Sequence, residues 1–372
     1  MAYTEIDDPT LYFSSTIWTG NATDDRAIVI DGTGMQPDFV WIKSRNDTDN
    51  HRLVDSVRGA TKHMESDGTG AEQTSSNVKT FTSTGVTLST NGAVNANSEL
   101  YASWAWKAGG SASNNTDGNT TTSVSVNQDA GFSIMKYAGD GNDSTIGHGL
   151  GAKPEYIIFK ETDGAESWRV HSIYTPNNAS NTLALNLADA AFSQSNWISA
   201  ISNTTISIGT DSSFNTDGNN YIAYAFAPKQ GYSKIGSYTG NGNADGSFVY
   251  LGFKPAWVLI KNTDDSDDWT IWDNKREDYA PNNPNESILV ANNSDAELDA
   301  TARSVDFLSN GFKLRTNNTD AENDADILDY TSNGIKIRST NSSVNVSGNT
   351  YIYMAWAENP LVTSTGIPAC AR

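Results

Sequence analysis

GAKPEYIIFK, residues 151–160, is written three times in this chain with small changes: GMQPDFVWIK fills residues 34–43 and GFKPAWVLIK residues 252–261. Each copy sets a proline (Pro37, Pro154, Pro255) six residues before a lysine (Lys43, Lys160, Lys261). The residues between them are β-branched or aromatic, in a run too short for a helix and bounded by glycine. That is the pattern of a buried strand with its proline at the edge, where the missing N–H does no harm.

The surroundings repeat as well. Eight residues past the lysines stand His51, Trp168 and Trp269. Ahead of each phrase an aromatic leads into a turn: WTGN from Trp18, YAGDGN from Tyr137 and YTGNGN from Tyr238. Behind each comes a closing phrase, LYASWAWKA from Leu100, NYIAYAFAP from Asn220 and TYIYMAWAE from Thr350. Shared order at near-constant spacing identifies one building block used three times. The first and third copies also share an aspartate (Asp55, Asp273) and, three residues on, an arginine (Arg58, Arg276).

In the closing phrase Tyr221, Ala223 and Ala225 alternate with Ile222, Tyr224 and Phe226, so both faces are apolar, as in a strand inside a sandwich. The expected fold class is therefore all-β, with three tandem antiparallel β-sandwiches. Module one takes residues 1–110, module two 130–229 and module three 230–361. Residues 111–129, rich in Ser, Thr, Asn and Gly, read as a flexible linker that can end in a strand, and 362–372 as a tail. The short spacer at Gly231 predicts close coupling of modules two and three. SNGFKLR from Ser309 and SNGIKIR from Ser332 predict an extra hairpin in module three. ASNTLALNLADAAF from Ala179 fits a helix or a strand and turn equally well.

A net charge of −20 over 372 residues argues against nucleic acid and against an anionic membrane surface. The single cysteine, Cys370, excludes internal disulfides and cysteine zinc sites. The first residues lack the basic and apolar parts of a secretory signal, so the chain is expected to fold in a cytoplasm. No apolar run reaches the length of a membrane span.

The sharpest catalytic pattern is ETDGAE, residues 161–166: Glu161, Asp163 and Glu166 match the Glu-x-Asp-x-x-Glu signature of laminarinase-like glucanases. The Asp-Gly pair inside it is also a hairpin-turn signal, and the acidic loops of the other modules do not share the pattern, so no catalytic residue is assigned. His51, His63, His148 and His171 have no metal-ligand spacing, and no nucleophile elbow occurs. NTDDSDD, residues 262–268, has the acidity of a structural calcium loop, with a solvated hairpin as its competing reading. A tryptophan beside a loop of Asp and Asn can stack on a sugar while amides bind its hydroxyls, which makes Trp168, Trp269 and the equivalent His51 the candidate ligand-binding residues. Core packing is the competing role for both tryptophans. For the three lysines the expectation is strand capping and pairing with nearby acids.

MQPDFVWIK, DSVRGATK, YASWAWKAGG, GHGLGAKP and GYSKIGSYTGNGNADG together resemble a repeat found in virion proteins of marine bacteriophages, tail-fibre or lectin-like, over nearly the whole chain. The resemblance implies a non-enzymatic structural protein on the virion surface, built of jelly-roll or concanavalin-like sandwiches and part of a tail or head appendage, that binds other virion proteins and host surface polysaccharide. A homo-oligomer, trimer or ring, would add avidity. A capsid decoration protein without ligand and a polysaccharide depolymerase are the alternatives. No coiled-coil shaft or collagen-like tract accompanies the repeat.

Overall fold

A computed structural model of the chain describes residues 3–30, 34–243, 247–276, 287–299, 305–314 and 341–368. Their helical content is one 3-10 turn and three four-residue helices, and every named strand pairing is antiparallel, so the protein is all-β.

Residues 13–106 carry β1 (Phe13–Thr19), β2 (Arg26–Val29), β3 (Phe39–Ser44), β4 (Arg52–Asp55), β5 (Lys62–Met64), β6 (Gln73–Thr74), β7 (Val78–Thr82), β8 (Gly85–Leu88), α1 (Gly92–Asn95) and β9 (Leu100–Trp106). They form a six-stranded sheet, β1-β9-β3-β4-β5-β6, and a three-stranded one, β2-β8-β7. Val40, Ile42, Tyr101 and Ala105 from the first sheet meet Ile28, Val78, Val86 and Leu88 from the second in one buried cluster.

The same plan follows in residues 132–226 with β12 (Phe132–Ala138), β13 (Ser144–Gly147), β14 (Tyr156–Glu161), β15 (Arg169–Ser172), β16 (Asn181–Ala184), β17 (Phe192–Ser193), β18 (Ile198–Ile201), β19 (Thr205–Ile208), α2 (Ser212–Asn215) and β20 (Asn220–Phe226). Its sheets run β12-β20-β14-β15-β16-β17 and β13-β19-β18. Residues 233–360 repeat it again with β21 (Ser233–Thr239), β22 (Phe248–Tyr250), β23 (Phe253–Asn262), β24 (Thr270–Asp273), β25 (Ser287–Val290), β26 (Leu298–Asp299), β27 (Val305–Leu308), β28 (Gly311–Leu314), α3 (Ser342–Asn345) and β29 (Thr350–Pro360). Their sheets run β21-β29-β23-β24-β25-β26 and β22-β28-β27. Apolar side chains from both sheets fill one cluster in each case.

The three Pro-to-Lys phrases occupy equivalent places. Each becomes a central strand between the closing strand and the next hairpin partner, and Phe39, Tyr156 and Trp257 pair with Trp106, Phe226 and Trp356. Pro37 and Pro154 precede their strands, as expected. Pro255 lies inside β23, and the register shifts on either side of it because a proline cannot donate to the ladder.

Residues 111–129 differ from the linker expectation. They form β10 (Ser113–Asn115) and β11 (Thr122–Asn127), and β11 pairs with β12 so that the second large sheet gains two strands. Alternating Val124 and Val126 give the segment an apolar face that packs on the module's core, which a mobile spacer lacks. The segment from Ala179 resolves as strand and turn, with β16 and β17 paired. SNGFKLR supplies β28, whereas SNGIKIR and Cys370 lie outside the described residues.

The chain divides into two compact units, one of residues 10–229 with 291–296, the other of residues 1–9, 230–290 and 297–372. Modules one and two therefore share a unit, in place of the expected pairing of two with three. Within it, Phe39 of β3 stacks on Tyr224 at 4.5 Å and meets Phe132 at 6.2 Å. The second apolar face of these sheets, foreseen from the closing strand, is thus covered by the neighbouring module. In the other unit, Tyr3 donates its hydroxyl to the Gly252 carbonyl at 2.7 Å, and Asp7 accepts from Ser364, so the first residues belong with module three.

Candidate functional site

The three lysines have no exposed surface. Each ammonium turns back to the loop that follows it. Lys43 donates to the carbonyls of Ser44 (2.8 Å) and Asp47 (3.0 Å), Lys160 to those of Glu161 (2.6 Å) and Gly164 (3.2 Å), and Lys261 to that of Asp267 (2.7 Å). Burial pulls Lys43 and Lys160 down to about 8, against the upward pull of Asp67 on the first and Glu161 on the second. Lys43 and Lys160 therefore knit their loops through carbonyls, with carboxylates acting at longer range.

Three residues past each lysine the loop is clamped to the closing strand. Asn46, Asp163 and Asp264 accept from the backbone N–H of Leu100 (2.8 Å), Asn220 (2.7 Å) and Thr350 (2.6 Å). This accounts for two of the three acids in the signature at 161–166. Asp163 holds the clamp position that an asparagine fills in module one, and Glu161 accepts from Asn219 Nδ2 at 2.6 Å. Burial raises the Glu161 carboxyl, the direction a general acid needs, but its oxygen is engaged in holding the loop. In 262–268, Asp265 accepts from Asn349 and Asp267 from Ser342 and Ser343, so these acids fasten the loop to α3 and its flank. Among the described residues no group of three acids, histidines or cysteines gathers to hold a metal.

The aromatic candidates lie in the interior. Trp168, Trp269 and His51 are buried, so none offers a face to a sugar ring; this corrects their reading as ligand-binding residues. Trp168 donates its indole N–H to the Glu65 carbonyl at 2.8 Å, tying module two to module one. His51 Nδ1 accepts from Trp41 Nε1 at 2.8 Å. A sequence cannot tell a tryptophan that stacks on a ligand from one that stacks on its neighbouring module, because both follow a polar loop.

All four histidines are buried. Burial, reinforced by Lys153, pulls His171 down to about 4. An unfolded imidazole titrates near ~6.5. Between those values the unfolded chain takes up the proton first, so this residue's contribution to stability is full above about pH 6.5 and falls as pH drops toward 4. An NMR titration of the His171 ring should place its midpoint near 4. A midpoint at 6 or above would show the ring to be solvated.

The Asp–Arg pair shared by modules one and three is a buried ion pair. Arg58 Nε lies 2.5 Å from Asp55 and Arg276 Nε 2.6 Å from Asp273. Each guanidinium also donates to a strand carbonyl, of Leu53 or Ile271, at 2.9 Å. In the first unit Tyr224 joins, donating its hydroxyl to Asp55 at 2.7 Å. Ser172 and Thr175 occupy the corresponding places of module two.

One recurring cluster escaped the reading of the repeat. α1, α2 and α3 each begin after a capping Asn91, Asp211 or Asn341 and end on a buried asparagine, Asn95, Asn215 or Asn345. The Oδ1 of that asparagine accepts from the backbone N–H of Asn21, Asp140 or Asn241, fixing the first turn. The Nδ2 of Asn215 donates to the carbonyls of Asn142 (2.6 Å) and Gly209 (2.9 Å). Tyr101, Tyr221 and Tyr351 accept from the N–H that follows the helix and donate to the carbonyl of its first residue. Each tyrosine stacks on Trp18, Tyr137 or Tyr238, with centroids 5.0–5.5 Å apart. The turn glycines are required by crowding: a Cβ on Gly139 would lie 2.3 Å from the Thr216 carbonyl oxygen. The available signal was an asparagine six residues before each closing tyrosine. Asn215→Ala should destabilise its unit by about 2–3 kcal/mol, read as a lower denaturant midpoint; a change below about 0.5 kcal/mol would contradict the anchoring role.

A cavity of about 480 Å³ opens on module two, between β13, β18 and β19 and the incoming segment that carries β10 and β11; Asn119, Asp143, Asn196 and Trp197 line it.

These features define an all-β protein of antiparallel sandwiches closed by a repeated Lys–Asn–Tyr anchoring set. The chain belongs to the family described as Domain of unknown function (DUF7483), whose model matches residues 8–326 and 316–360. No curated protein and no solved structure matches it.

Proposed function

We propose that this chain is a structural protein of a bacteriophage virion, exposed on the particle surface in a tail or head appendage. Its three modules are read as tandem jelly-roll or concanavalin-like sandwiches, assembled with other virion proteins and, through a trimer or ring of copies, presented to the polysaccharide of a host surface. The observation that carries this reading is the threefold reuse of one sheet topology with the same buried anchors. Repetition of that kind serves a rigid, multivalent outer part better than a single catalytic centre. The resemblance of the repeat phrases to phage virion proteins points the same way, and the net charge of −20 suits a soluble exterior.

The depolymerase alternative loses its main support because Glu161 and Asp163 are engaged by Asn219 and Asn220. The test is to purify particles of the phage that encodes the chain, count their proteins by mass spectrometry and label them with an antibody to this chain. Labelling of tail or head appendages is the expected result. A chain absent from washed particles would overturn the proposal, and very high copy number over the whole capsid would turn it into the decoration reading. Release of reducing ends from host polysaccharide, lost in Glu161→Gln, would establish the depolymerase.

A further inference from the structure

We infer that the cavity on module two is a binding site for a neutral oligosaccharide, and that the segment joining modules one and two exists in its present form to wall that site. The inference deepens the surface-contact part of the proposal above, while the binding chemistry stands apart from where the chain is located.

Several amides and carboxylates near loops are committed: Asn46, Asn95, Asp163, Asn215 and Asp264 all hold backbone groups. Asp143, Asn196, Ser199 and Ser207 line the cavity, and their side chains make no hydrogen bond to any described residue. Asn119 is the informative case. Its Oδ1 accepts from Thr145 Oγ1 at 2.8 Å and from Ser144 Oγ at 3.0 Å, which orients the amide and leaves Nδ2 as a free donor. At Asn196 it is the backbone that is held. Its backbone is left-handed, with φ of 50°, and Gly209 packs so closely that a Cβ there would lie 2.2 Å from the Asn196 carbonyl oxygen.

The lining therefore presents donors (the Asn119 and Asn196 amides), acceptors (Asp143 and the Asn196 Oδ1) and two hydroxyls that do both. Hydroxyl groups on a sugar ring also donate and accept at once. A phosphate or sulfate would need a cation, and the lining contains no lysine or arginine. The Asp143 carboxylate and the chain's net charge of −20 repel anionic sugars as well. A volume of about 480 Å³ is room for a short stretch of glycan.

The site also distinguishes module two from module one. Ile198 and Val78 hold equivalent registers against Ile208 and Leu88, so Asn77 stands where module two has Trp197. Asn119 comes from the joining segment, held by a parallel bridge from Thr120 to Ile146. One turn of that segment approaches so closely that a Cβ on Gly118 would lie 2.2 Å from the Thr145 carbonyl oxygen.

The test is a titration of the full chain, labelled with ¹⁵N in its ten tryptophans, with linear oligosaccharides of glucose, mannose, galactose and N-acetylglucosamine, beside uronate and sulfated counterparts. The Trp197 indole peak is assigned as the one lost in Trp197→Phe, with the other nine reporting that the variant folds. The expected result is a saturable shift of the Trp197 peak with a neutral oligosaccharide and none with the anionic ones. Asp143→Ala and Asn196→Ala, at exposed positions that hold nothing else, should each weaken binding about tenfold with the remaining peaks unmoved. No shift with any neutral oligosaccharide, preference for an anionic one, a shift produced only by peptides, or wild-type affinity in both variants would overturn the assignment. A chain found on the particle that fails this titration loses the cavity site alone; a chain that binds sugar but is missing from the particle loses the virion assignment alone.

Discussion

Arg58→Met should destabilise the unit of residues 10–229 by about 3–5 kcal/mol. The guanidinium and the Asp55 carboxylate are both fully buried, with Nε and Oδ2 2.5 Å apart. Folding has already stripped water from both charges. Removing the arginine leaves a buried carboxylate held only by the N–H groups of Val57 and residue 58 and by the Tyr224 hydroxyl. Because Tyr224 belongs to module two, the loss is felt across the packing of the two modules. Asp55→Leu alone should cost a similar amount, whereas the double variant should cost much less than the sum, since an apolar pair leaves no charge uncompensated. Denaturant unfolding of the four proteins measures the coupling. Additive effects, or a change below about 1 kcal/mol in Arg58→Met, would contradict the description of this pair.

Trp168→Ala should cost about 3–5 kcal/mol in the same unit. The indole is entirely buried, and its N–H holds the Glu65 carbonyl of module one. Truncation leaves a void of indole size and an unmatched carbonyl at once. Trp168→Phe keeps most of the volume and loses the hydrogen bond, so it should fall in between, at about 1–3 kcal/mol. A ligand-facing tryptophan would behave in the opposite manner, with near-normal stability and lost binding, and denaturant midpoints of the two variants distinguish the cases.

Much of the architecture was legible because strand chemistry writes a strong local signal. PEYIIFK and its two copies contain everything a buried central strand requires, and the closing phrases showed two apolar faces. What covers the second face was not legible. Tyr224 meets Phe39 and Asp55 across a distance in sequence that periodicity does not span. Residues 111–129 read as a linker because Ser, Thr and Asn serve strands and spacers alike, and only the packing of Val124 and Val126 decides between them. Trp168, Trp269 and His51 misled for a related reason. A large aromatic after a polar loop has the same composition whether its face meets a ligand or a core. The asparagine anchors stand in the sequence as Asn95, Asn215 and Asn345, but a polar residue in a four-residue helix carries no periodicity to betray its burial. Asn119 and Asn196 become candidates only once the fold shows which amides are already committed.

Native-state hydrogen exchange, followed by mass spectrometry on the intact chain, tests most directly whether the three repeats are the same structure. The account predicts that amides in Val40–Lys43, Ile157–Lys160 and Val258–Lys261 exchange slowly, together with their partners in β9, β20 and β29, because each phrase is a central strand bonded on both sides. Rapid exchange in any one of the three phrases, with the other two protected, would contradict it.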